Sequence, residues 1–427
     1  MEAVGASTHA TRLLMYDRSE AALSSLGMLP YSWEMQEASH PAPKPALIIL
    51  LGALTAFSPL AIDMYLPAFP QIERELGAAP GRVPLTLSFF IAGLALGQFL
   101  IGPISDRTGR RLPLLMGCAG FSLAAAMCAF APSVTWLIGA RFCMGLAGAA
   151  GLVVSRAVVR DLFDEVRSAS VYSFMMMVTG IAPVVAPLLG GVVLAVASWR
   201  AVFWVLATIG VVCIVAIMSI LDESLPVERR ARRSLPVVLR RSVGILFDGR
   251  FFRYGAAIGC TYGALFAYIT AAPGVFMELY GLTAQRFSLL FASVAIGIYL
   301  AAQLNRWLLR RVAPQRILRV AAMVGAAAGC LLAAEVLLGI GGFYLFYATL
   351  YVCVATLGLI FPNATALAMA AFGQEAGTAS AVLGLLQYAG GAAAAAAVAV
   401  SQDGTARPMA IAVAICETLV LIVIGMR

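Results

Sequence analysis

Hydrophobic positions along this chain are gathered into long runs separated by short polar intervals. Twelve such runs occur, at residues 46–69, 83–104, 112–131, 133–154, 170–195, 201–221, 254–276, 285–308, 315–338, 342–366, 376–400 and 406–425. Each approaches or exceeds the length of about twenty residues that an α-helix needs to cross a bilayer. The pattern predicts an all-α membrane protein with twelve transmembrane helices. One interval is longer than the others, residues 222–253, and it divides the runs six and six.

The polar intervals then set the orientation. The 222–253 segment carries Arg229, Arg230, Arg232, Arg233, Arg240, Arg241, Arg250 and Arg253, and the alternate short loops carry Arg107, Arg110, Arg111, Arg156, Arg160, Arg167, Arg306, Arg310 and Arg311. The other side has few arginines, so the basic side is expected in the cytoplasm with both termini. Residues 1–45 are polar and end in a proline-rich stretch, which predicts a disordered cytoplasmic tail. The expected units are this tail, a first six-helix half at 46–221, a cytoplasmic basic linker at 222–253, and a second half at 254–427.

Composition narrows the chemistry. With 62% hydrophobic and 12% charged residues, most of the chain belongs in lipid. The net charge of +8 lies in short loops where it orients the spans, so no nucleic-acid partner is expected. Eight cysteines are scattered singly, without CxxC spacing, and imply neither a disulfide framework nor a metal site. His9 and His40 both precede the first run, and the single lysine, Lys44, does too. There is no P-loop, HExxH or nucleophile elbow. An enzyme is not expected, nor any cofactor, and transport would draw on an ion gradient.

A six-plus-six plan suits a two-lobed secondary transporter, whose substrate site lies between the halves near mid-membrane. Matching interruptions in the two halves point to that site: Pro59, Pro67 and Pro70 in run 1, Pro273 and Gly274 in run 7.

The tight turn between runs 2 and 3 reads Gly102, Pro103, Ile104, Ser105, Asp106, Arg107, Thr108, Gly109, Arg110, Arg111. It fits the GxxxDRxGRR signature and so resembles the major facilitator superfamily. Residues 58–70, 141–162, 187–191, 362–369 and 377–388 are similar to the bicyclomycin-resistance (Bcr/CflA) type of multidrug efflux transporter. The resemblance runs from about residue 46 to the end. It implies the major facilitator fold, a small-molecule substrate, protons as coupling ion, and a multi-pass protein of the bacterial inner membrane acting as a monomer.

Within the turn, Gly102 is expected to allow close helix approach and Gly109 the chain reversal. Asp106 adds nothing to topology and reads as a conformational latch. In the family it faces the start of span 11, which implies Gly377 and Thr378 as neighbours and Arg156 or Arg160 as charge partners. Arg107, Arg110 and Arg111 serve either the latch or simple anchoring.

Buried charges are costly enough to need a reason. Asp63 lies about 9 Å of helix rise before the end of run 1, and Arg141 about 12 Å into run 4 from the same side. The two are expected to meet, and such a pair can change its proton affinity with hydration and geometry. The resemblance likewise places this acid and this arginine in proton coupling; a permanent structural ion pair is the alternative. Glu278 and Glu335 fall near helix ends and are expected in water, while Glu417 lies inside run 12.

The run from Gly180 through Pro183, Pro187, Gly190 and Gly191 resembles the family's antiporter motif, with Ala182 and Ala186 at expected glycine positions. Tyr65, Met144, Tyr262, Phe266, Tyr268, Tyr351, Asn363 and Gln387 are the candidate cavity residues. The expected function is proton-coupled export of drugs or other amphipathic molecules. A proton-coupled uptake symporter and a transport-inactive sensor or assembly protein remain alternatives.

Overall fold

The computed structural model describes residues 45–427 except 231–234, 373–374 and 426–427, so the expected N-terminal tail lies outside the described residues apart from Pro45. Twelve helical spans cross-pack: Pro45–Leu76, Arg82–Thr108, Arg111–Ala129, Val134–Leu162, Arg167–Val196, Trp199–Ile220, Gly249–Leu279, Ala284–Leu308, Pro314–Leu338, Gly342–Met369, Ala376–Val400 and Arg407–Gly425. We number them spans 1 to 12. No strand occurs among the described residues. A further helix, Leu235–Leu246, lies in the segment between spans 6 and 7. The face bearing this segment is called the linker face below.

Side-chain caps fix several span starts by accepting otherwise unpaired backbone amides. Ser133 receives Trp136, Thr283 receives Arg286, and Asp248 receives Phe251. Span 4 runs past its expected end at residue 154 to Leu162, which carries Asp161 out to the turn between spans 2 and 3.

Span 1 is not one continuous helix. Its first segment ends at Asp63, a short 3₁₀ turn follows at Leu66–Ala68, and a second helix covers Phe69–Leu76. Pro67 has no amide to offer the Asp63 carbonyl and its ring crowds that carbonyl, so the helix cannot pass this point unbroken. Span 7 changes its winding at Pro273, where Gly274–Leu279 forms a π turn. The two interruptions stand at corresponding places in the two halves.

Close packing within the first half comes from glycines on spans 2 and 4. A Cβ at Gly93 would lie 2.2 Å from the Phe142 carbonyl oxygen, and one at Gly145 would lie 2.0 Å from that of Phe90. Gly102, the expected close-approach residue, is not among them: a Cβ there would meet Val153 at an ordinary 3.7 Å.

The halves meet through span 2 against span 11 and span 5 against span 8. At mid-depth, Gln98 fills the space a side chain at Gly384 would occupy. On the face opposite the linker, a Cβ at Gly81 would be 2.0 Å from the Ala399 carbonyl oxygen, and the Ser288 hydroxyl donates to the Pro187 carbonyl at 3.0 Å. On the linker face the N-cap of span 11, Glu375, pairs with Arg241 of the Leu235–Leu246 helix at 2.7 Å, while a Cβ at Gly377 would meet nothing within 4 Å.

Candidate transport site

The turn between spans 2 and 3 is built around Arg110, whose side chain is only 2% exposed. Its Nη1 lies 2.6 Å from Asp106 Oδ1, its Nε lies 2.8 Å from Asp161 Oδ2, and Nη1 also donates to the Ser105 hydroxyl at 2.8 Å. Burial alone would disfavour the cation, but its bonds to Asp161 and Asp106 outweigh that and hold the guanidinium above its usual range. A third carboxylate closes the turn from the linker side. Glu223 Oε1 accepts from the Arg110 amide at 2.7 Å and from the Leu225 amide at 3.0 Å, and Oε2 accepts from the Arg111 amide at 3.2 Å. Arg110 is the N-cap of span 3, so Glu223 supplies from elsewhere in the chain the negative charge that a helix N-terminus favours. Burial pushes the Glu223 carboxyl up, yet the three amides and Arg230 prevail and hold it below the ordinary glutamate range.

Gly109 explains its place by geometry. Its φ is +97°, and a Cβ would sit 2.3 Å from Glu223 Oε2. The expected partners of Asp106 are corrected here: Asp106 pairs with Arg110 in its own turn. Arg160 is 62% exposed and only approaches Asp161, at 3.9 Å. Arg156 turns away from the turn, within electrostatic reach of Tyr262 and Tyr388. No hydrogen bond joins Asp106 to Gly377 or Thr378 among the described residues, and a Cβ at Gly377 would meet nothing within 4 Å.

Asp63 and Arg141 are both buried, at 3% and 0% exposure, but they are not paired. The Arg141 guanidinium is sandwiched between Tyr65 and Phe90, 4.3 and 4.2 Å from the ring centroids, and donates to the Met144 sulfur at 3.5 Å. Its Nε and Nη2, and Oδ1 of Asp63, have no hydrogen-bond partner. The helix break directly after Asp63 is the physical reason: it swings Tyr65 off the axis of the first segment and onto Arg141. The Tyr65 hydroxyl shares a 2.8 Å hydrogen bond with Thr86. Asp63 instead comes within electrostatic reach of Tyr268 on span 7.

In span 5 the glycines differ sharply. A Cβ at Gly190 would be 1.9 Å from the Met64 carbonyl oxygen, one residue from Asp63, whereas one at Gly180 would meet nothing within 4 Å. Pro183 and Pro187 both lie inside the unbroken helix, and a Cβ at Gly191 would meet the Ser288 hydroxyl at an ordinary 3.5 Å.

Several candidate cavity residues stand in the packed interior. Tyr65 and Met144 are engaged with Arg141, Tyr268 stacks on Phe291 at 5.5 Å, and Tyr351 fills the space beside Gly297. Asn363 donates to Asn305 across spans 8 and 10 at 2.6 Å. Tyr262 and Gln387 remain half-buried, and Tyr262 lies 6.1 Å from Phe266, 5.4 Å from Phe361 and 5.8 Å from Tyr388. Glu335 is 2% exposed, not in water as its position near a helix end suggests. Asp161, Glu223, Phe361 and Tyr388 are missed by reading the sequence. The acid that ends span 4 and the acid that follows span 6 were legible as charges, but nothing in their spacing indicates that both converge on one turn.

The sequence pattern of the Major Facilitator Superfamily matches residues 51–395. The chain is 36% identical over 343 residues to a protein named Uncharacterized MFS-type transporter YdgK from Bacillus subtilis, covering 80% of this chain and 85% of that one. It is 31% identical to the Bicyclomycin resistance protein homolog of Haemophilus influenzae, over 87% of this chain and 93% of that one. Multidrug resistance protein MdtL from Escherichia coli is 28% identical, over 80% and 85%. Two solved structures share the fold: the D-xylose-proton symporter, with TM-score 0.64, 12% identity and 89% and 96% coverage, and the human organic anion transporter MFSD10, with 0.61, 16%, 90% and 100%.

Proposed function

The chain belongs to the major facilitator superfamily, and we propose that within it the protein is a proton-coupled antiporter exporting drugs or other small amphipathic molecules. It is a multi-pass protein of the bacterial inner membrane. The observation that carries the reading is Asp63: a buried acid at a helix break, with no ion-pair partner among the described residues and with Oδ1 making no hydrogen bond in this state. Relatives named for bicyclomycin and multidrug resistance support the export direction.

With the linker face in the cytoplasm, and both termini there, the contacts of Gly81 with Ala399 and of Ser288 with Pro187 close the route from outside. The state is then inward-facing. Asp63 takes a proton from the outside-facing state and gives it up inward, Arg141 adjusts its hold on that proton, and the Asp106–Arg110–Asp161 cluster stabilises one of the two states. Half-buried aromatic residues such as Tyr262 accept ligands of varied shape.

The test is expression in an efflux-deficient bacterium with a survey of drug susceptibility, followed by uptake of an identified drug into inverted vesicles. The wild-type chain should raise resistance and drive pH-gradient-dependent uptake. Asp63→Asn should abolish that uptake while the protein still reaches the membrane; undiminished gradient-driven transport in the variant would sink the reading.

A further inference from the structure

The second half contains a buried carboxyl that the cycle above does not use. Glu417, in span 12, is 1% exposed and its Oε2 has no hydrogen-bond partner. It points at span 9, where the absence of a side chain makes room for it: a Cβ at Gly325 would lie 2.3 Å from Glu417 Oε2 and 3.3 Å from the Thr356 hydroxyl. Gly329, one turn on, would place a Cβ 3.4 Å from the Glu417 Cβ.

Thr356 is where span 10 is interrupted, between Gly342–Ala355 and Leu357–Met369. Its hydroxyl already donates to the Cys353 carbonyl at 2.6 Å, so only its lone pairs are left to face Glu417. An ionised carboxylate can only accept and gains nothing there. A carboxylic acid can donate.

The groups that face Glu417 from the neighbouring spans supply no compensating charge. They are Cys260 on span 7, Cys353 on span 10, and Cys416 beside it on span 12. Glu335 is also within electrostatic reach of Cys353 and lies near the face opposite the linker, where it lines a cavity of about 310 Å³ with Tyr280 and Arg407. No arginine or lysine pairs with Glu417 among the described residues. An unpaired ion in such a place is costly, whereas a group that gains and loses a proton with its surroundings is not.

We propose that Glu417 is a second proton-binding carboxyl of the transport cycle, seated so that its protonation holds or releases the interruption in span 10. The proposal rests on the antiport reading. When protonated, the acid joins spans 9, 10 and 12 through Thr356; when the proton leaves to water, the carboxylate must be hydrated and the three spans separate. Span 10 then moves with a proton event in the second half, as span 1 does with Asp63 in the first.

The test uses the full chain in lipid nanodiscs without substrate, so that it judges Glu417 apart from drug transport. Infrared pH titration should show a neutral-carboxyl C=O band that diminishes as pH rises, is lost in Glu417→Gln, and is shifted in Gly325→Ala, which adds a methyl group against the carboxyl without removing it. Ser401 caps the end of span 11 beside the Gly81–Ala399 contact; with the exposed Cys143 and Cys330 replaced by Ser, labelling of Ser401→Cys by an impermeant thiol reagent should respond to pH, and Glu417→Gln should reduce that response at least twofold. A band that ignores pH, or spectra and labelling unchanged by Glu417→Gln, would overturn the proposal. Should Glu417→Gln fail to accumulate, the band shift in Gly325→Ala decides: an unshifted spectrum is equally fatal.

Discussion

Glu223 Oε1 lies 2.7 Å from the backbone nitrogen of Arg110, joining an acid just beyond span 6 to the N-cap of span 3. The turn between spans 2 and 3 is thereby held from two sides, by Asp161 on the Arg110 side chain and by Glu223 on its backbone. A displacement of span 6 must strain the same turn that span 4 contacts.

Glu223 makes acid sensitivity predictable. Its carboxyl is held below the ordinary glutamate range, so its stabilisation is present in full above the unfolded value of about 4.3 and is lost as pH falls through the folded one. Glu223→Gln should lower the melting temperature at neutral pH. The residue is exposed, so solvent screening keeps the loss on the order of 1 kcal/mol. The difference from wild type should shrink below roughly pH 4, as measured by thermal unfolding in detergent across pH.

Gly109→Ala should cost about 1–2 kcal/mol from the positive φ alone, with the clash on Glu223 added to it. Combining it with Glu223→Ala separates the two contributions. The double variant should be less destabilised than the sum of the single ones, because the methyl group no longer meets the carboxylate. Strict additivity would mean that the two residues do not share the site.

The span 5 glycines should behave oppositely. Gly190→Ala drives a methyl into the Met64 carbonyl, a backbone atom that cannot rotate away, and should cost about 1–3 kcal/mol with a comparable loss of transport. Gly180→Ala has open space and should leave both unchanged within error. Equal tolerance at both sites, in melting and in drug uptake, would contradict the packing of spans 1 and 5.

Arg141→Lys keeps the charge but not the plane that lies between Tyr65 and Phe90. Desolvated contacts of this kind contribute about 2 kcal/mol, so substrate transport should fall on the order of tenfold or more even though the net charge is unchanged. Vesicle uptake of a drug identified by the susceptibility survey provides the measurement.

Much of the architecture was written in the order of residues. Twelve runs of bilayer length, with arginines gathered on alternate loops, specify twelve spans, because backbone amides in lipid must be satisfied within each helix. Pro67 and Pro273 marked the interruptions of spans 1 and 7, since a missing amide acts locally. The sequence also singled out Asp63 and Arg141 as buried charges and Gly109 as a turn residue.

What the tertiary structure decided was which of these residues touch. Rise along two helices put Asp63 and Arg141 at one depth, but the break after Asp63 and the stack of Tyr65 and Phe90 on Arg141 depend on how spans 1, 2 and 4 rotate against each other. Asp106 faces Arg110, and Asp161 and Glu223 reach the same turn from chain positions far apart. Glu417 looked like one acid in a peripheral span and is enclosed because Gly325 leaves a hollow opposite it. Hydrophobic pattern and charge asymmetry are properties of single segments and survive in a linear sequence. Pairing across segments is set by helix rotation and by side-chain volume on facing helices, and these exist only once the spans have packed.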